Sequence, residues 1–147
     1  MTKRQKTVAK ILELKEFNKE QLEAEVRKAN DRLRDEQETL AVLNKAYAAT
    51  NGGLTARQSK GTIPVHEVEL FTTYLKHVHK QIELQTQVIN VRSAELDALQ
   101  SAMVEAYKEQ RVFEILQDKI AQEATKEAAQ VEQKTADYNY LSGKAER

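Results

Sequence analysis

Alternate steps of four and three residues from Val8 reach Leu12, Lys15, Lys19, Leu22, Val26, Ala29, Leu33, Glu36, Leu40, Leu43 and Tyr47; nine of these twelve positions are apolar or Tyr. The same steps from Phe71 run through Leu75, Val78, Ile82, Gln85, Ile89, Arg92, Leu96, Leu99 and Met103. They continue through Ala106, Gln110, Phe113, Gln117, Ile120, Ala124 and on to Leu141 without a stutter. An apolar period of 3.5 residues held over that length predicts helices wound as a left-handed coiled coil.

One stretch interrupts the pattern. Residues 50–64 read TNGGLTARQSKGTIP and hold Gly52, Gly53 and Gly61 together with the chain's one proline. Glycine past a helix C-terminus accepts the left-handed conformation, so Thr50–Gly53 are expected to stop the first helix. Pro64 is expected in the first turn of the next, where its missing N–H costs nothing. Glu67 and Glu69 suit that end of the helix dipole. The predicted fold is all-α, a single coiled-coil domain over 1–147 forming an antiparallel two-helix hairpin with unequal arms. Helix one covers about 5–50, a loop 51–63 and helix two about 64–140. If Tyr47 faces Leu75, then Leu40 faces Ile82, Leu33 faces Ile89, Val26 faces Leu96, and Leu12 meets Gln110. Helix two then overruns helix one from about residue 115. The overrun carries a weakened stripe of Gln117, Ile120, Ala124, Glu127, Val131, Lys134, Tyr138 and Leu141.

Composition agrees with the period. Of the 147 residues 31% are charged and only 5% aromatic, the profile of long helices rather than of a globular core. Lys plus Arg and Asp plus Glu both number 23, and that balance disfavours a nucleic-acid binder, which needs a basic surplus. The uneven spot is the start, where Lys3, Arg4, Lys6 and Lys10 precede Glu13. These cations oppose the helix dipole, and read either as a solvated end or as a contact for an acidic partner. The chain has no cysteine, so disulfides and thiolate metal sites are excluded and a cytoplasmic setting fits. No apolar run follows the basic start and none approaches a membrane span, so neither a secretory signal nor a spanning helix is expected.

No catalytic set stands out, and neither enzyme activity nor any cofactor or metal is expected. His77 and His79 are two residues apart, which turns them away from each other on a helix, whereas a metal pair needs a spacing of three or four. The run SKGT at 59–62 lacks the order and the preceding strand of a phosphate-binding loop. The polar seam residues Lys15, Lys19, Glu36, Gln85, Arg92 and Gln110 read as register-setting positions that cost stability, or as marks of a hairpin built to flex. Tyr47 and Tyr74, with Leu40, Leu43, Phe71, Leu75 and Val78, lie beside the loop. They read either as packing of the tip or as a part-exposed patch for a protein partner.

Five segments in order resemble one family. These are AKILELKE near the start, LAVLNKAY before the loop, VELFTTYLKHVHKQIELQ after it, VEAYKEQRVFEILQDK late in helix two and EQKTADYNYL near the end. Together they resemble the flagellar export protein FliJ family and its type III secretion counterparts, over almost the full length. The resemblance implies a non-enzymatic coiled-coil stalk similar to the gamma subunit of rotary ATP synthases. Such a stalk inserts into the hexameric export ATPase FliI, contacts the export gate FlhA and engages export chaperones. It implies a cytoplasmic protein, peripheral on the inner face of the cell membrane, that serves flagellum assembly and motility. By matching LAVLNKAY and YLKHV, the resemblance places a gate-binding patch on Leu40, Leu43, Tyr47, Tyr74 and Val78. It places the ATPase-proximal part near both termini, including Arg111, Phe113 and Leu116. Glu36, Gln81 and Gln85 depart from the family pattern. Two other readings stay open, a generic coiled-coil scaffold or adaptor and a holding chaperone without an ATPase partner. The prefoldin type of holding chaperone needs strand hairpins between its helices, and residues 50–64 show no period-two alternation.

Overall fold

The computed structural model describes residues 2–145 and holds two helices, α1 (Lys3–Ser59, 57 residues) and α2 (Val65–Ala145, 81 residues). Among the described residues there is no strand. The two helices pack against each other as an all-α hairpin. Two compact units are distinguished: Leu22–Ala102, and the flanking segments up to Gln21 and from Met103 onward.

In the Leu22–Ala102 unit the four-three stripe is the interface. Every seam position of α1 from Leu22 to Tyr47 is buried or half-buried, and so is every one of α2 from Phe71 to Leu99. Gln85 fixes the register. Its Nε2 donates to the backbone oxygen of Glu36 at 2.9 Å and also to the Glu36 carboxylate. Glu36–Gln85 lies close to the expected pairing of Leu40 with Ile82. These two polar residues sit in the apolar stripe because each satisfies the other.

The expected stop at Thr50–Gly53 is not where α1 ends. The helix runs on for six residues beyond Gly53, and residues 60–64 alone separate it from α2. The reason lies in the seam. Thr50 and Leu54 are its next two positions after Tyr47, and both are half-buried. A glycine inside a helix costs about 1 kcal/mol relative to alanine; burying Leu54 and extending the contact with α2 offsets that cost. The reversal instead falls at Gly61, whose φ of +133° favours a residue without a Cβ. Pro64 sits just before α2 rather than in its first turn. Its carbonyl accepts the N–H groups of Glu67 and Val68 at 3.1 and 3.2 Å. Arg57, in the last turn of α1, reaches Glu67, in the first turn of α2, at 2.7 Å. Each charge sits at the helix end that its dipole favours.

In the second unit the N-terminus of α1 is closed by a capping box. Thr2 Oγ1 accepts the Gln5 N–H at 3.2 Å, and Gln5 Oε1 accepts the Thr2 N–H at 2.8 Å. Lys15 stands in the seam but carries its ammonium outward to Glu109 at 2.8 Å, and it lies 5.7 Å from the Phe113 ring centroid. Its stem covers apolar surface while its charge stays near water. Lys19 does the same over Tyr107, at 5.3 Å. The overrun of α2 begins later than expected. Ile120 is buried and Ala124 half-buried. Unbroken exposure begins at Thr125, so the overrun starts only after Ala124.

Three substitutions test this packing. Gly52→Ala and Gly53→Ala each place a Cβ in open space or at ordinary contact, 3.9 Å from Phe71 in the second case. Each should raise stability by about 0.5–1 kcal/mol, seen as a higher midpoint in thermal melting by circular dichroism. A lower midpoint would mean that α1 ends near residue 50. Gln110 donates to Glu114 at 3.2 Å, but its side-chain carbonyl is buried with no partner. Gln110→Leu should therefore stabilise the hairpin by about 1 kcal/mol or more.

Candidate interaction surfaces

The residues beside the turn divide into packing and surface. Val78 is 4% exposed. It stands at the centre of the seam, so within the expected patch it is the residue least accessible to a partner while the helices are paired. Leu40, Leu43 and Tyr47 are half-buried, each with one edge in the seam. The Tyr47 ring lies 6.5 Å from the ring of His79 at an angle of 52°. Tyr74 is 46% exposed and faces outward. It joins a residue that the sequence reading passed over, Leu70, which is 68% exposed. With Thr50, Phe71 and the Arg57–Glu67 ion pair, these side chains line an open groove of about 390 Å³. The groove exists because α1 continues past the glycines and brings Arg57 opposite Glu67. The signal was present in the sequence as Leu54, one seam step beyond Thr50.

The residues expected near the ATPase fall in the other unit. Arg111 is exposed and pairs with Glu114 on its own helix at 3.3 Å. Phe113 is half-buried under the Lys15 ammonium, and Leu116 is half-buried. Beside them Val112 and Ile115 are exposed. Beyond Ala124 the character of α2 changes. Every residue from Thr125 to Leu141 is exposed, among them Val131, Tyr138 and Leu141. Lys3, Arg4, Lys6 and Lys10 are exposed on the first turns of α1.

His66, His77 and His79 are all exposed, and His79 Nε2 lies 3.0 Å from Glu83 on the same helix. Among the described residues no group of three or more His, Cys, Asp or Glu is placed to hold a metal ion. No helix among them is long and apolar enough to cross a membrane. What both surfaces can do is present apolar side chains to another protein.

A family model described as the flagellar FliJ protein matches residues 5–138. No curated protein and no solved structure matches the chain.

The change at Ala124 is measurable. An isolated helix keeps little stability without packing of its apolar face. Amide hydrogens from 126 to 141 should therefore exchange at least about tenfold faster than those of residues 75–99, read by hydrogen exchange with mass spectrometry. Equal protection along α2 would show that the segment is covered in solution.

Proposed function

The chain belongs to the flagellar FliJ family, whose members are components of the flagellar export machinery, and we propose that it acts there as a non-enzymatic coupling stalk. In this reading the part near the termini engages the hexameric export ATPase FliI, through Arg111, Leu116, the neighbourhood of Phe113 and the exposed end of α2. The part beside the turn serves the export gate FlhA, through Tyr74 with the exposed edges of Leu40, Leu43 and Tyr47. Val78 supports that patch from within by holding the helices together. Export chaperones are further partners, and the protein works at the inner face of the cell membrane as a peripheral, cytoplasmic component.

The observation that carries this reading is the family match over residues 5–138. The site geometry supports it. A coupling component needs surfaces for two partners and no reaction centre, because the ring performs the hydrolysis. The chain has exposed apolar residues both beside its turn, at Leu70 and Tyr74, and in its terminal unit, at Val112, Ile115 and Val131. Contacts of this kind draw most of their binding energy from a few large side chains.

Two surface variants test the assignment without disturbing the seam. Tyr74→Ala should weaken binding to the purified export gate by about tenfold or more and leave ATPase stimulation unchanged. Arg111→Glu should reduce stimulation of the export ATPase and leave gate binding unchanged. Helicity should match the parent chain in both. If each variant loses both activities together, the two-surface assignment is wrong.

A further inference from the structure

The two flanks of α2 within the Leu22–Ala102 unit differ in kind. The residue following each seam position from Phe71 to Ile89 is Thr72, Lys76, His79, Glu83, Thr86 or Asn90, and all are polar. The residue preceding each is Leu70, Tyr74, Leu84 or Val88, interrupted by His77 and Gln81, and Val91 continues the row before Arg92. A helix paired only through its seam has no use for a second apolar stripe on one side. Leu84, Val88 and Val91 are 49%, 37% and 58% exposed. With Gln87, Arg92 and Glu95 they border an open groove of about 530 Å³. Their spacing of four then three is the spacing that packs one helix on another.

We propose that this stripe pairs with the same stripe of a second copy of this chain, the two α2 helices running antiparallel about a two-fold axis at residues 87 and 88. The polar residues around the stripe argue for this occupant. A two-fold contact must be self-complementary, each residue meeting a different residue of the same patch. Leu84 and Val91 are equally distant from the axis, so each meets the other across it. Lys80 and Glu95 are also equally distant from it, so opposite charges meet at both ends of the apolar stretch. Lys80 is exposed, and among the described residues no ion pair holds it. Glu95 is already oriented beside the stripe by Arg92 at 3.1 Å. The apolar centre supplies attraction and the charged ends fix register and direction. Three apolar side chains per copy make a small interface, so the association is weak, with a dissociation constant of about 10–100 µM.

Sedimentation velocity on the full chain across a concentration series tests the proposal. The parent chain should pass from monomer to dimer, and Leu84→Glu should raise the dissociation constant at least about tenfold with helicity unchanged. A charge exchange tests the register. Lys80→Glu alone brings like charges together at both ends, as does Glu95→Lys alone, so each variant by itself should stay monomeric at concentrations where the parent dimerises. An equimolar mixture of the two restores an opposite pair at both ends, and should dimerise like the parent. A parent chain that stays monomeric to millimolar concentration overturns the proposal and leaves the stripe to a helix of another protein. A dimer that ignores Leu84→Glu, or a mixture that fails to associate, overturns it as well.

Discussion

Everything in this protein depends on one stripe per helix. Two helices meet along a line, and a side chain on that line has a neighbour on one side and solvent close by on the others. Among the described residues the hydrophobic positions that count as buried are Val8, Val26, Ala29, Val78, Leu96 and Ile120, and none is sealed completely. Each layer of the seam contributes little, so cohesion accumulates with length. That is why α1 continues through two glycines to gain Leu54. It is also why Lys15 and Lys19 are tolerated in the seam, since water is always within reach of an ammonium on a four-carbon stem.

The same constraint governs polar residues. In a thicker core Glu36 would need a full set of partners or lose its charge. Here Gln85 and nearby solvent suffice, and the pair fixes the register. Gln110 is the contrasting case: its amide finds Glu114 but its carbonyl finds nothing. One seam thus holds a polar residue that specifies pairing and another that only weakens it.

Much of this was legible in the sequence. The period and the single Gly- and Pro-containing break identified the helical hairpin and its seam, and pairing Tyr47 with Leu75 across the break gave a register close to the one Gln85 makes. The turn was misread because glycine propensity is a local quantity, whereas the seam is a tertiary one. Leu54 and Thr50 fall in step with Tyr47, and that step outweighed Gly52 and Gly53. Val78 was grouped with the surface patch by its place beside the loop and by the match of YLKHV to the family, although the four-three step also puts it in the seam. Sequence proximity does not separate those two environments, but the heptad position does. The second stripe, Leu84, Val88 and Val91, was visible in the same way and passed unread, because a single period directs attention to one face of a helix.

The shallow seam also sets how the molecule responds to temperature. Heat capacity of unfolding scales with the apolar surface that folding removes from water, and here no large side chain is fully withdrawn. The stability curve of such a chain is flatter than that of a globular domain of equal length. Warming and cooling both weaken it gradually. Layers at the ends of the seam have a neighbouring layer on one side only, and are the ones expected to open first.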